Sequence, residues 1–302
     1  MQKLKVLITG ASGFIGSHLI PYLLARNYAV IGLTRQNNKA SAHADLSWIT
    51  QLNQLKTNQI DYVINLAGEN IGKKRWSKKR KQQLIASRVD STNELYRYLE
   101  KQHIQPKCII SGSAVGYYGI DPTEQWATPC TEQAVPQAIF MSELCQLWEH
   151  AARNFASQHT KIVRLGVVFA NDGGILPQML LPIKMNLVGK IGHGRQPVVW
   201  VHIHDVLRAL EFLLLNETKQ NTFNLVAPEQ TSQAQFATTA AQILKRKPLL
   251  SLPACVLRGM LGEQSQLVLN GQYVQSKALV EAGFEFNYPS LEQALQDILT
   301  VR

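Results

Sequence analysis

The chain predicts an α/β fold, a doubly wound parallel sheet followed by a smaller C-terminal lobe. Three observations carry this. Short runs apolar on both faces alternate with helix-like runs through residues 1–169, as strands covered on both sides require. A glycine-rich turn, Thr9–Gly16, joins the first strand-like run to the first helix-like one. Beyond about residue 170 the rhythm breaks into Gly- and Pro-punctuated segments.

In order, Leu4–Thr9 reads as a buried strand and Phe14–Arg26 as a helix, with Pro21 expected to kink or shorten it. Tyr28–Thr34 is the second strand, Asp45–Ile49 a short third and Asp61–Ala67 a buried fourth. A long helix follows from about Lys78 to Gln102, with Leu84, Val89, Leu95 and Leu99 among its apolar positions. Lys107–Ser113 is a fifth strand, Met141–Ser157 a helix and Lys161–Phe169 a sixth strand. Right-handed crossovers between such strands wind the sheet in both directions. In residues 170–302, short helices at Val206–Asn216 and Gln233–Lys245 and a strand at Thr222–Val226 are expected. The division expected is a dinucleotide-binding domain over 1–169 and a loop-rich substrate lobe over 170–302, with segments near 200–228 returning to the core sheet.

Composition narrows the class. With 302 residues, 45% apolar and 17% charged, the chain can bury a sizeable core, which excludes collagen-like, low-complexity and mostly disordered proteins. No stretch approaches the roughly 18 unbroken apolar residues of a spanning helix. Met1–Lys5 runs straight into a strand with no apolar leader, so a cytoplasmic protein without a membrane partner is expected. The spacings of Cys108, Cys130, Cys145 and Cys255 match no zinc pattern, and buried reduced thiols are the plain reading.

The net charge of +10 has one main address. Lys73, Lys74, Arg75, Lys78, Lys79, Arg80 and Lys81 supply seven positive charges with no acid among them. Nucleic-acid binders spread cations along a face among aromatic and amide readers, and here Trp76 stands alone. A solvated helix start, or a funnel for a phosphorylated ligand, fits better than DNA or RNA.

Chemistry concentrates at the first turn. Gly10 allows the tight turn, Gly13 the approach of a pyrophosphate, and Gly16 the packing of helix on strand, while Phe14 and Ile15 open the helix whose N–H groups face the phosphates. NAD sites place an Asp or Glu at the end of the second strand, yet no acid precedes Asp45. Thr34-Arg35 stands there instead, and an Arg suits a 2′-phosphate, so NADP(H) is the expected cofactor.

Thr9–Gly16 resembles the opening of an extended short-chain dehydrogenase/reductase. Asn65–Ile71, Arg75-Trp76, Ser87-Arg88, Ser111–Gly119, Trp148-Glu149, Arg164–Val168, Gly173-Gly174, Trp200–Asp205, Asn224–Pro228, Gly262-Glu263 and Gly283–Pro289 extend the likeness over essentially the whole chain. Together they resemble an atypical subfamily usually labelled "epimerase family protein". The resemblance implies NADP(H) at Thr34 and Arg35, with Leu66 and Ala67 lining the adenine–ribose side. It also implies Gln83 and Arg88 at the polar portion of the cofactor and Val168 near the nicotinamide. Relatives of this type often pair through the long helices flanking the sheet, so a homodimer is the expectation by analogy.

The catalytic end departs from the superfamily. Its Tyr-x-x-x-Lys pair would fall in Phe140–Glu149, where Phe140 or Met141 stands for the Tyr and Leu144 or Cys145 for the Lys. Neither pairing passes a proton as Tyr–Lys does. Ser113, after the fifth strand, and Tyr117 are the substitutes the sequence offers; a packed Tyr117–Tyr118 pair is the plainer reading of the latter. Glu149 is more simply a structural partner of an Arg such as Arg164. His202-x-His204-Asp205 is read as a strand-to-helix junction with Asp205 as cap or anchor, and no metal is expected. Gly189–Gln196, with Lys190 and Arg195, is either a loop favouring an anionic substrate or a surface hairpin. Two functions result: an NADP(H)-dependent oxidoreductase or epimerase-like enzyme on an unknown small carbonyl or sugar-nucleotide-type substrate, or a non-catalytic NADP(H)-binding regulator, division-related in some labels.

Overall fold

Lys5–Thr9 (β1) lies at the centre of the sheet, and its alternation explains the layers. Val6 and Ile8 face one apolar cluster while Leu7 faces another. Phe14–Leu24 (α1), Ala29–Leu33 (β2), Leu46–Ile49 (β3), Tyr62–Asn65 (β4), Lys78–Lys101 (α2), Cys108–Ala114 (β5), Phe140–Arg153 (α3) and Thr160–Leu165 (β6) follow in order. The computed structural model describes residues 3–36, 41 and 43–300; Met1 and Gln2, part of the N-terminal stretch discussed above, lie outside the described residues.

The described residues form a seven-stranded parallel sheet in the order β10-β6-β5-β4-β1-β2-β3, where β10 is Thr222–Leu225. The chain winds outward from β1 through β2 to β3, then returns beside β1 at β4 and proceeds the other way. A crevice therefore opens at the carboxyl ends of β1 and β4, where α/β sheets place ligands. The fold is the doubly wound, Rossmann-like one expected. One face packs on α1 and on Ile203–Leu215 (α5) through Leu19, Leu23, Val206 and Leu210. The other packs on α2 and α3 through Leu95, Tyr96, Leu99 and Ala152.

Some details differ from the sequence reading. Pro21 falls in the last turn of α1, where it forfeits one hydrogen bond, and the helix ends at Leu24, two residues short of Arg26. The sixth apolar run is not one strand. After Leu165 the chain leaves the main sheet, and Val167–Phe169 (β7) pairs instead with Trp200–His202 (β9). Gly166 N still donates to Leu225 O while Val167 N donates to Val199 O, so the handover takes a single residue. Val188–Ile191 (β8) pairs in parallel with Leu250–Leu252 (β11), so Gly189–Gln196 is not a hairpin.

Leu176–Lys184 (α4), Gln233–Ile243 (α6) and Leu291–Thr300 (α10) enclose a second apolar cluster, where Phe169 stacks on Trp200 at 5.6 Å. The remaining helices, Ala254–Leu261 (α7), Gln266–Leu269 (α8) and Lys277–Glu281 (α9), belong to a segment that runs back over the sheet. Cys130 N donates to Tyr273 O, and Lys81 pairs with Glu263. Asp205 is no cap: His202 Nδ1 accepts from His204 N and caps α5, while the fully buried Asp205 carboxylate accepts from the backbone N–H groups of Asn287 and Tyr288. Among the described residues, no helix is long and apolar enough to cross a membrane and no cluster of three or more His, Cys, Asp or Glu could hold a metal. Cys108 and Cys145 are buried, but Cys255 is exposed, contrary to the uniform burial expected.

Candidate functional site

At the crevice, close backbone approach decides which residues fit. Gly10 has φ +65, and a Cβ there would stand 2.6 Å from Leu66 O, so only glycine fits between β1 and the end of β4. A Cβ on Gly16 would meet Gly10 O at 2.6 Å, so α1 sits against the turn as closely as a helix can. Gly13 caps α1 with no side-chain hydrogen bond among the described residues, and no acid lies in the first turn. The helix start therefore presents N–H groups and the positive dipole end to the crevice. By contrast, Ser77 caps α2 with its own hydroxyl.

Beneath the turn runs a buried polar seam. Thr9 Oγ1 donates to Asn65 Oδ1 at 2.6 Å and accepts from Ala67 N at 3.2 Å. Asn65 Nδ2 donates to Thr92 Oγ1 at 2.9 Å and to Ser111 Oγ at 3.3 Å. This fixes the loop after β4, with half-buried Leu66 and Ala67, against β1, β5 and α2. Phe14 packs against the Gly173-Gly174 backbone, Ile15 against the sheet's apolar cluster, and Val168 lies buried just before that Gly-Gly turn. The side chains of Phe14, Ile15 and Val168 are thus also packing residues.

At the far side of the crevice Thr34 is buried, shares a 2.7 Å hydrogen bond with Ser12 Oγ and accepts from Gln36 N. Arg35 is 85% exposed, with Nη1 3.6 Å from Glu69 Oε1. The other carboxylate oxygen of Glu69 is held by Arg80, which is buried and also donates to Asn70 O. Hydrogen bonding from Arg80 keeps the Glu69 carboxyl below its ordinary range. Glu69 N donates to Ser87 Oγ at 3.1 Å, and Arg88 Nη2 donates to Glu69 O at 2.9 Å. Arg88 also lies over the Trp148 ring at 5.1 Å, and its desolvation pulls the guanidinium pKa down. Gln83 is exposed, its side chain 3.5 Å from Arg80.

The basic stretch is thus divided. Arg80 serves the interior and Lys81 pairs with Glu263, while Lys73, Lys74, Arg75, Lys78 and Lys79 are exposed. Glu69 is the residue the sequence reading passed over. It stands within Asn65–Ile71, yet nothing in the spacing places it beside Arg35, which precedes it by two strands.

The remaining side chains lie under β5. Ser113 donates to Glu149 Oε1 at 2.8 Å, and Arg164 meets the same carboxylate with Nε at 2.7 Å and Nη2 at 2.9 Å. Arg164 Nη1 donates to Tyr118 OH at 2.8 Å, and Tyr118 OH donates to Asn224 Oδ1 at 2.7 Å. The guanidinium carbon lies 3.4 Å from the centre of the Tyr117 ring. Burial alone would lower the Arg164 pKa, but the Glu149 pair more than offsets it and the net shift is upward. Burial pushes the Tyr118 phenol up to about 12. Met141 and Cys145 are buried against Gly116, and burial pushes the Cys145 thiol up to about 11. A neutral thiol there supplies no cation in place of a lysine. Among the described residues no hydrogen bond holds the Tyr117 hydroxyl, whereas Ser113 is committed to Glu149.

Comparison with known proteins extends this geometry. The model of the NAD dependent epimerase/dehydratase family matches residues 6–226, and that of a domain of unknown function, DUF1731, matches residues 252–298. An epimerase family protein of Staphylococcus saprophyticus, SSP1921, is 36% identical, over 97% of this chain and 98% of its own. The crystal structure of human epimerase family protein SDR39U1 (isoform2) with NADPH is 31% identical, covering 98% of this chain and 99% of that one with a TM-score of 0.88. A UDP-glucuronic acid 4-epimerase of Bacillus cereus, at 21% identity and a TM-score of 0.75 over 98% of each chain, shares the fold. A glycine turn at the switch point of a seven-stranded parallel sheet, continued by the C-terminal segment these relatives share, makes this chain a member of the NAD-dependent epimerase/dehydratase family, among the extended short-chain dehydrogenase/reductases.

Proposed function

We propose that the protein binds a nicotinamide dinucleotide, NADP(H) in the first instance, and acts as an epimerase-like oxidoreductase on a small carbonyl or sugar-nucleotide-type substrate. The observation that carries this is the backbone approach at Gly10 and Gly16, which keeps side chains out of the space before an uncapped helix start. The NADPH in the human relative supports it.

In this reading Gly10, Gly13, Phe14, Ile15 and Gly16 hold the pyrophosphate, and Thr34 and Arg35 the adenosine end. Leu66 and Ala67 line the ribose, Gln83 and Arg88 approach from α2, and Val168 flanks the nicotinamide. The bound cofactor supplies hydride transfer at C4 of its nicotinamide. Residues 170–302 serve as the substrate lobe over a domain of residues 1–169, in a cytoplasmic protein. Tyr117 is the group that moves a proton, its phenol being outside the hydrogen-bond network. Ser113 orients it through the Glu149–Arg164 pair.

A second reading is a non-catalytic NADP(H)-dependent regulator. Met141 and Cys145, apolar and thiol in the slots of a proton-transferring pair, favour it. Titration with NADPH and NADH by nicotinamide fluorescence, on wild type and Arg35→Ala, tests the common part. NADPH binding weakened about tenfold in the variant is expected, a charge-assisted bond being lost. No binding of either nucleotide to wild type refutes both readings. Turnover of NADPH in a carbonyl and sugar-nucleotide screen then separates enzyme from regulator.

A further inference from the structure

We infer that Glu69 is a cofactor-specificity residue, a carboxylate that reads the 2′-hydroxyl of NAD(H) from the β4 loop, opposite the Arg35 that reads a 2′-phosphate. The inference rests on the dinucleotide reading above. The rule that an acid at the end of β2 selects NAD(H) and an Arg selects NADP(H) assumes that one strand end does the reading. Here the end of β2 offers Arg35, while the end of β4, two strand positions away in the sheet, offers Glu69 to the same spot.

Glu69 is built into place. Its N–H is bonded to Ser87 Oγ, its carbonyl to Arg88, and its inner carboxylate oxygen to Arg80, all from α2. That leaves Oε1 facing Arg35 across 3.6 Å, with a third of the Glu69 side chain open to solvent. Arg80 holds the inner oxygen from beneath, so the carboxylate stays ionised and charged at Oε1 when the exposed Arg35 turns away from it. A ribose edge that takes the place of Arg35 against Oε1 meets an acceptor for its hydroxyl, and the displaced guanidinium is left to meet a phosphate. Like charge between Glu69 and a 2′-phosphate, which carries close to two negative charges at neutral pH, sets back NADP(H). Preference for the phosphorylated cofactor is therefore held in check, and both cofactors bind.

The test compares dissociation constants of NADPH, NADH and the adenosine-2′-deoxy analogue of NADH for wild type and Glu69→Gln, which keeps an acceptor for Arg80. Wild type is expected to bind the deoxy analogue about tenfold more weakly than NADH, the loss of a hydrogen bond to a charged acceptor. Glu69→Gln is expected to close that gap and to raise the preference for NADPH over NADH about tenfold. Wild type binding the deoxy analogue as well as NADH overturns the inference even if Glu69→Gln does not fold. An unchanged NADPH-to-NADH ratio in a folded Glu69→Gln overturns it equally. Failure of wild type to bind any dinucleotide instead refutes the function proposed above.

Discussion

Replacing Arg164 with methionine removes the main counter-charge of a carboxylate that water does not reach. Glu149 is 1% exposed and Arg164 3%. Methionine fills much of the arginine stem but leaves the Glu149 carboxylate with Ser113 Oγ at 2.8 Å and Arg153, at 3.1 Å and partly solvated, as partners. Tyr118 OH and Glu132 O lose a donor at the same time. Breaking one side of a buried pair costs about 3–5 kcal/mol, and the surviving Arg153 contact puts the expected loss near the lower end. At roughly 2 °C per kcal/mol for a chain of this size, the melting temperature should fall by about 6 °C. Urea unfolding followed by tryptophan fluorescence reads the free energy directly. The double variant Arg164→Met/Glu149→Leu should recover part of the loss, because an apolar pair leaves no stranded charge. A single-variant loss below about 1 kcal/mol, typical of exposed pairs, would refute the claim that this network is a buried structural element. A double variant no more stable than the single one would refute the stranded-charge explanation.

Two further outcomes follow from the geometry. Gly10→Ala forces a Cβ to within 2.6 Å of a backbone oxygen at a positive φ, so it should cost more than about 2 kcal/mol; equilibrium unfolding and dinucleotide titration together check it, and wild-type stability with wild-type binding would contradict the close approach. Burial lowers the His202 pKa below 6.5, despite the nearby Asp297 and Asp205; the unfolded chain then takes up the proton first. His202 therefore contributes fully above about pH 6.5 and loses its contribution as pH falls toward the folded-state value, at no more than about 1.4 kcal/mol per pH unit. His202→Asn keeps a capping acceptor for α5 and should flatten the fall of melting temperature between pH 6.5 and 5; an unchanged slope would mean another group titrates there.

The layered sheet was legible in the sequence because burial on both faces leaves a continuous apolar mark, as in Val6–Ile8 and Ile109–Ile110. The same mark hid the break at Gly166. An apolar run looks identical whether it continues one strand or passes to a second sheet, and only the handover from Leu225 O to Val199 O distinguishes them. Gly10, Gly16 and Arg35 were readable because local sequence determines a turn. The pairing of Glu149 with Arg164 was foreseen as an ordinary carboxylate–arginine match. Its extension to Ser113 was not, because it depends on β5 and α3 facing each other. Glu69 escaped for the same reason: a strand-end rule reads one strand, and the winding brings the residues after two strand ends into an ion pair.

The buried acceptors Glu132 and Asp205 also bear on how the chain is made. Glu132 Oε1 takes the N–H of Asn224, 92 residues downstream, and that of Ala278, 146 residues downstream. Asp205 takes those of Asn287 and Tyr288, 82 and 83 residues later. During vectorial synthesis each carboxylate leaves the ribosome long before its donors exist. The edge strand β10 likewise arrives only after residue 222. A nascent chain stopped at the end of β6 thus has an open sheet edge and a Glu132 still hydrated, and the closure on Asp205 waits for residues 287 and 288 to emerge.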